Sequence, residues 1–265
     1  MSAVQGTALV TGASSGIGEI YAERLAKRGY DLILVGRSNE RLAALSSRLA
    51  STGRRIELLA ADLAQPADRA KVEAVLRNDP TVTLLVNSAG LLARGGVADT
   101  DPAALDEMLA VNVMALTGLS AAAAGQFTAR GRGGIINVAS VMAFIDTPAT
   151  AAYGASKAYV LNFTLGLDLE LRDKGVKVQA VLPGYTRTAM IAHGAGLPPQ
   201  AVMDAGEMVD AALVGFDRGE LVTIPSLPDA AEFGAWLDTR TAMQPRLSLD
   251  HAAQRYGVTP ADAAA

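Results

Sequence analysis

The sequence predicts an α/β fold in a single domain, residues 1–265: a doubly wound parallel sheet of about seven strands with helices on both faces. Three observations predict it. Short apolar runs alternate strictly with segments of helical periodicity up to about residue 182, the pattern of repeated strand–helix units. The apolar runs are continuous and rich in β-branched residues, as strands covered on both faces are. Hydrophobic residues make up 50% of the 265 but aromatics only 5%. Alanine and glycine therefore carry much of the apolar count, which suits close helix-on-sheet packing better than an all-β core.

The elements follow in order. Residues 7–10 are the first expected strand; Ile17, Ile20, Tyr21 and Leu25 then recur at helical spacing, and Gly29 stands where a helix should stop. Residues 32–35 give a second strand, followed by Leu42, Leu45 and Leu49 on one helical face. Residues 56–60 give a third, and Pro66 opens a helix carrying Val72, Val75 and Leu76. Residues 82–86 are the fourth strand, after which Asp101 and Pro102 open a helix expected to reach about Ala124. Residues 135–138, a long helix over about 151–172, and residues 176–182 complete six units. The stretch 184–210 begins without strand periodicity and is rich in Gly, Pro and Met; a loop that long is uncommon unless functional, so a substrate lid is expected there. A C-terminal extension over about 226–265 is irregular or helical, with Phe233, Trp236 and Leu237 as its anchors.

Composition excludes several classes. A net charge of −4 argues against a nucleic-acid partner, which would want a basic face. With no cysteine, disulfides, thiolate metal sites and a cysteine nucleophile are excluded together, and two histidines give no basis for a zinc site. No metal is expected. The first six residues lead straight into a strand pattern, and no apolar run approaches about 18 residues without polar or helix-breaking interruptions. The expectation is a cytoplasmic protein with no membrane partner.

The turn after the first strand reads Thr11-Gly12-Ala13-Ser14-Ser15-Gly16-Ile17-Gly18. Gly12 can take the positive φ of a tight turn, Gly16 lets backbone amides approach a pyrophosphate, and Gly18 allows close helix–strand packing at a helix N-terminus that favours an anion. Further motifs follow in fixed slots: Asp62-Leu63 after the third strand, Asn87-Ser88-Ala89-Gly90 after the fourth, and Asn112 in the next helix. Ser140 follows the fifth strand, then Tyr153-Gly154-Ala155-Ser156-Lys157, then Pro183-Gly184 after the sixth. This series resembles the short-chain dehydrogenase/reductase family over about residues 5 to 190. Asn87-Ser88 departs from the family's commoner Asn-Asn pair.

The resemblance implies a Rossmann-type sheet and an oxidoreductase that moves a hydride between a nicotinamide cofactor and a carbonyl or alcohol carbon. It assigns Gly12, Ser14, Ser15, Gly16, Ile17, Gly18, Asp62, Leu63, Asn87, Ala89, Gly90, Pro183 and Gly184 to the cofactor. Thr186 or Thr188 would meet the nicotinamide carboxamide, with Thr188 preferred. The end of the second strand, where a ribose is usually read, is Val35-Gly36-Arg37-Ser38. It holds no carboxylate to accept from a 2′-hydroxyl, while Arg37 can form a charge-assisted fork to a 2′-phosphate with Ser38 adding a hydroxyl. NADP(H) is the expected cofactor.

Tyr153 and Lys157 lie four apart in an expected helix and so share a face. A nearby ammonium favours phenolate and can lower a phenol's pKa by roughly 1–3 units, which would fit Tyr153 for proton transfer. Ser140 would offer a hydroxyl to the substrate oxygen where negative charge develops. The resemblance gives Lys157 the ribose hydroxyls and makes Asn112 the fourth catalytic member. Taken singly, each of these residues has an ordinary structural explanation; in these slots behind a glycine turn they point jointly to catalysis. Val141, Met142, Phe144, Tyr185 and Met190 are the expected substrate contacts, with His193 nearby in the lid. Most are apolar, so the substrate expected is an uncharged or hydrophobic ketone, aldehyde or alcohol, with Arg94 and Arg187 available for a charged one. A 3-oxoacyl-carrier reductase would share the motifs up to Pro183, and a non-catalytic NADP-binding sensor would be expected to lack Tyr153 or Lys157. Family relatives pair the helices at 102–124 and 151–172, so a homodimer or homotetramer is expected.

Overall fold

In the computed structural model, residues 5–188 and 198–258 are described. Seven parallel strands form one sheet: β1 (Thr7–Thr11), β2 (Asp31–Gly36), β3 (Ile56–Ala60), β4 (Val82–Asn87), β5 (Gly133–Val138), β6 (Val176–Val181) and β7 (Val222–Thr223). Their spatial order is β3-β2-β1-β4-β5-β6-β7. The direction of winding reverses between β1 and β4, and a crevice opens outside the carboxyl ends of the strands at such a point.

Successive strand residues face opposite ways, and each face has its own core. Ala8, Val10, Leu32 and Leu34 pack with Tyr21 and Leu25 of α1 (Gly16–Lys27), Leu42 and Leu45 of α2 (Asn39–Leu49), and Met208 and Val209 of α7 (Ala205–Arg218). Leu9, Ile33, Val35 and Leu85 pack on the other side. Their partners are Val72 and Leu76 of α3 (Pro66–Asn78), Leu119 and Phe127 of α5 (Leu116–Arg130), and Leu167 and Leu171 of α6 (Ala151–Leu171). Leu9 is fully buried, and removing such a side chain to alanine costs about 2–5 kcal/mol.

Local signals end the helices where they should. After α1, Gly29 takes φ 94° and its N–H donates to the Ala26 carbonyl. Asp101 caps α4 (Pro102–Leu109) by accepting from the Ala103 N–H. That helix continues through a π-helical segment, Ala110–Ala115, into α5, and stops at Gly131 (φ 66°) rather than near Ala124. The added length comes from Gly125–Arg130, where Phe127 is buried.

Three further features bear on the sequence expectations. By length and composition alone, the helix Pro102–Arg130 is long and apolar enough to cross a membrane. Asn112 and smaller polar residues interrupt it, as the sequence expectation has it, and half of its most apolar window is buried in this fold. The expected lid overlaps α7: from Ala205 the chain is helical, capped by Asp204, with Met208 and Val209 in the core. The seventh strand is only two residues, paired with Ala180 and Val181 of β6.

Met1–Ser226 is one compact unit and Leu227–Ala265 a second. The second carries α8 (Ala230–Met243), capped by Asp229, in which Phe233 and Trp236 stack at 5.5 Å. No residue of α8 is buried and Trp236 is 39% exposed, so the expected anchors do not form a core.

Candidate active site

The β1–α1 turn is shaped by main chain. Gly12 and Gly16 take φ of 67° and 60°, left-handed conformations that glycine adopts without strain. A Cβ at Gly18 would lie 2.4 Å from the Gly12 carbonyl oxygen, and one at Gly12 would lie 2.9 Å from the Ala89 Cα. The turn therefore packs directly onto the end of β4. Thr11 ties the two: its hydroxyl accepts from the backbone N–H of Ser88 and of Ala89, each at 3.1 Å. Ser15 caps α1 in an extended conformation without using its hydroxyl, leaving the first-turn amides without a side-chain cap.

A cleft of about 420 Å³ lies against this turn. It is lined by Gly12, Ser14, Ser15, Gly16, Ile17, Gly18, Arg37, Asp62, Leu63, Ala89 and Gly90. Its other lining includes Ser140, Val141, Met142, Tyr153, Lys157, Pro183, Gly184, Tyr185, Thr186 and Thr188. Residues dispersed over the chain thus share one cavity.

Tyr153 and Lys157 come from the first two turns of α6. The Lys157 Nζ is buried, donates to the Val138 carbonyl at 3.0 Å, and lies 5.7 Å from the Tyr153 ring centroid. Burial lowers its pKa to about 8, because a low-dielectric site disfavours the ammonium. Tyr153 differs from the sequence expectation. Burial pushes its pKa up, and a hydrogen bond with the Ser140 side chain pulls the other way. The lowering expected from Lys157 does not appear; the dominant effect is that the phenolate would lose its hydration. Ser140 Oγ also accepts from the Met142 N–H at 3.1 Å, capping the 3₁₀ turn Val141–Ala143.

Asn112 sits in the π-helical segment, and single π turns often occur at functional sites. Its side chain does not line the cleft. Oδ1 accepts from the Leu91 N–H at 2.8 Å, while Nδ2 donates to the Leu91 carbonyl at 2.9 Å and to Ser156 Oγ at 3.1 Å. Ser156 in turn donates to the Tyr153 carbonyl at 2.7 Å. The amide therefore clamps the chain after Gly90 to the first turn of α6.

Three expected contacts lie elsewhere. Ser38 caps α2, accepting from the Arg41 N–H at 3.3 Å, and does not reach the cleft. Asn87 points to the face opposite Val86, into a buried network: Nδ2 donates to Ser120 Oγ and Asn137 Oδ1, and Asn137 donates to Thr164. Strand alternation explains this. Phe144, after the 3₁₀ turn, is 38% exposed and outside the lining, whereas Ile145 lines it. Met190 and His193 lie outside the described residues.

A family model described as short chain dehydrogenase matches residues 6–194. The chain belongs to the short-chain dehydrogenase family. It is an oxidoreductase of the class that interconverts CH–OH and C=O groups. A short-chain dehydrogenase from Sphingobium yanoikuyae, solved in complex with NADPH, is 46% identical with a TM-score of 0.91, covering 95% of this chain and 100% of that one. A bulky-bulky ketone specific alcohol dehydrogenase from Comamonas testosteroni is 44% identical with a TM-score of 0.90, covering 96% and 99%. An uncharacterized oxidoreductase of Staphylococcus epidermidis is 31% identical over 218 residues, 82% of this chain and 93% of that protein.

In this short-chain dehydrogenase, sequence reasoning did not find Gly36, Ser88, Leu91, Leu92, Ile145, Thr147 and Thr150 as lining residues. Gly36 had a readable signal, being a glycine at a strand end. The 145–150 segment had none, because its path depends on Ala149 holding φ 63°.

Proposed function

We propose that this chain is an NADP(H)-dependent ketone and aldehyde reductase, working in reverse as an alcohol dehydrogenase, on uncharged hydrophobic substrates. The observation that carries the reading is half-buried Tyr153 beside buried Lys157, with Ser140 close to the phenol, in the same cleft as the glycine turn.

The residues present fit the cofactor. Gly12 and Gly18 leave main chain where any Cβ would clash. Ser88 lines the cleft, and its buried hydroxyl has no hydrogen-bond partner. Arg37 brings a cation to the end of β2 where Gly36 leaves no acid. The first-turn amides of α1 would hold the pyrophosphate, Asp62 and Leu63 the adenine side, and Ala89, Gly90 and Lys157 the ribose side. Pro183, Gly184 and Thr188 would hold the nicotinamide. Thr188 is preferred because Thr186 spends its hydroxyl on the Gly184 carbonyl at 3.1 Å. The solved relative described with NADPH supports this assignment. Bound there, the nicotinamide supplies the hydride to a carbonyl carbon or accepts it from a carbinol carbon.

The chain's own groups handle the proton. Ser140 orients the substrate oxygen and Tyr153 donates to it in reduction or accepts from it in oxidation, work commonly worth about 10²–10⁴-fold in rate. A raised phenol pKa keeps Tyr153 protonated at neutral pH, so the donor form is present for reduction. Lys157, near its own pKa, can replace that proton. Asn112 holds Leu91 and the start of α6 in place. Val141, Met142, Ile145 and Tyr185 give the substrate side an apolar character, and the Comamonas relative's description as bulky-bulky ketone specific supports bulky ketones. The protein acts in the cytoplasm as a homodimer or homotetramer.

A panel of bulky and small ketones, aldehydes and a 3-oxoacyl thioester, run with NADPH and NADH side by side, tests the reading. Turnover of apolar ketones with NADPH is expected to exceed the rest. Sole activity on the thioester would replace it with the acyl reductase, and binding of NADPH without turnover with the sensor.

A further inference from the structure

Arg37 stands at the carboxyl end of β2, and the position before it cannot bring an acid into the cleft without cost. A Cβ at Gly36 would lie 3.1 Å from the Ser14 hydroxyl oxygen and 3.2 Å from its Cβ. A carboxylate nevertheless reaches the guanidinium from another element. Glu107, in the last turn of α4, places Oε1 3.3 Å from Arg37 Nη1. Both side chains are open to solvent, 62% and 45% exposed. A pair that exposed adds only about 0–1 kcal/mol to the fold, so stability does not account for an acid at this spot.

We propose that Glu107 is a specificity-determining residue that moderates the preference for NADP(H) over NAD(H), resting on the reading of Arg37 as the 2′-phosphate partner. A guanidinium offers five N–H donors in a fixed fork. Glu107 engages Nη1. A 2′-phosphate, carrying about −1.5 to −2 charge near neutral pH, has to share that cation with a carboxylate, and like-charge repulsion subtracts from the attraction. A 2′-hydroxyl carries no charge and can donate to a carboxylate, the contact usually supplied by an acid at the strand end. Glu107 thus weakens the phosphorylated cofactor and spares, or assists, the other. Arg37 sets the direction of the preference and Glu107 limits its size.

The test is calorimetric titration of NADP+ and NAD+ at one fixed low ionic strength into the native protein, Glu107→Gln, Arg37→Ala and the double variant. Glu107→Gln is expected to bind NADP+ about three- to tenfold more tightly, the size of one unit-charge repulsion across several ångströms of wet surface. NAD+ should bind unchanged or more weakly, and the gain should vanish in the Arg37→Ala background. Unchanged or weaker NADP+ binding in Glu107→Gln, a gain shared equally by NAD+, or a gain that survives without Arg37 overturns the proposal. In those cases an Arg37→Ala variant that loses NADP+ affinity leaves the Arg37 assignment standing. If Arg37→Ala binds NADP+ as the native protein does, the Arg37 assignment fails and the Glu107 proposal falls with it.

Discussion

One part of the cleft, the glycine turn with Gly36 and the end of β4, is shaped by main chain, whereas the part formed by residues 141–150 and Tyr185 is shaped by side chains. In the first, added methyl groups at Gly12 and Gly18 meet backbone atoms at 2.9 and 2.4 Å. In the second, Ile145 and Tyr185 are 48% and 42% exposed, and Ala149 is the one non-glycine residue at positive φ among those described. Backbone cannot yield to a neighbour, so the first region tolerates few sequences and holds one shape. Exposed side chains on a strained loop can be exchanged without disturbing the sheet. A cofactor common to many reactions suits the first region and a variable substrate suits the second.

The sharpest way to break this contrast is Gly18→Ala. In a helix, alanine is ordinarily the better residue by about 1 kcal/mol, but here its methyl meets the Gly12 carbonyl. NADP+ affinity is expected to fall about 5- to 150-fold, since overpacking against rigid backbone costs roughly 1–3 kcal/mol. Calorimetric titration, with a thermal melt to confirm folding, checks it. Retained affinity would mean that the turn can move.

Lys157 links the two regions, and its burial has a consequence for stability. Its pKa is about 8 in the folded protein against 10.5 for an ordinary lysine. Between those values the unfolded chain binds more protons than the folded one, so stability from this group rises with pH across that window. Urea melts without added nucleotide should show the native protein gaining about 1–2 kcal/mol relative to Lys157→Met between about pH 8 and 9.5. The window ends near pH 10, where Tyr153, its pKa raised by burial, adds the opposite slope. Parallel melts of the two proteins would show instead that the ammonium is solvated.

Ile145→Ala should have the smallest effect. Half-exposed, it contributes only part of the burial energy of a full isoleucine. The ratio of kcat/KM for bulky against small ketones is expected to change about three- to tenfold, with NADP+ affinity held. A change in cofactor affinity would undo the separation of the two regions.

The same contrast governs what could be read from sequence. The third strand, at the sheet edge with Glu57 exposed, is found at its observed bounds, Ile56–Ala60; the other long strands are found within two residues, because continuous apolar runs have few alternatives once both faces are covered. Glycines at the turn were legible because only steric necessity places three so close. The misses are tertiary. Ser38 looked like a phosphate contact but serves as a cap, and Asn87 points to the opposite face from the cleft. Phe144 and Ile145 exchange roles because a 3₁₀ turn, capped by Ser140, sets their direction. The π-helical segment around Asn112 leaves no mark in periodicity, since one extra residue per turn is invisible over six residues. β7, two residues long, is too short to alternate or to run.

The central claim is that Tyr153 delivers the proton while hydride passes between nicotinamide and substrate carbon. Single-turnover reduction of a bulky ketone with NADPH deuterated on its transferable position, in the native protein and in Tyr153→Phe, tests it most directly. The account predicts deuterium on the carbinol carbon of the native product. It also predicts a rate about 10²–10⁴-fold lower in the variant, with NADPH affinity within a few-fold of native. A Tyr153→Phe protein that turns over at the native rate, or a product without the label, would contradict it.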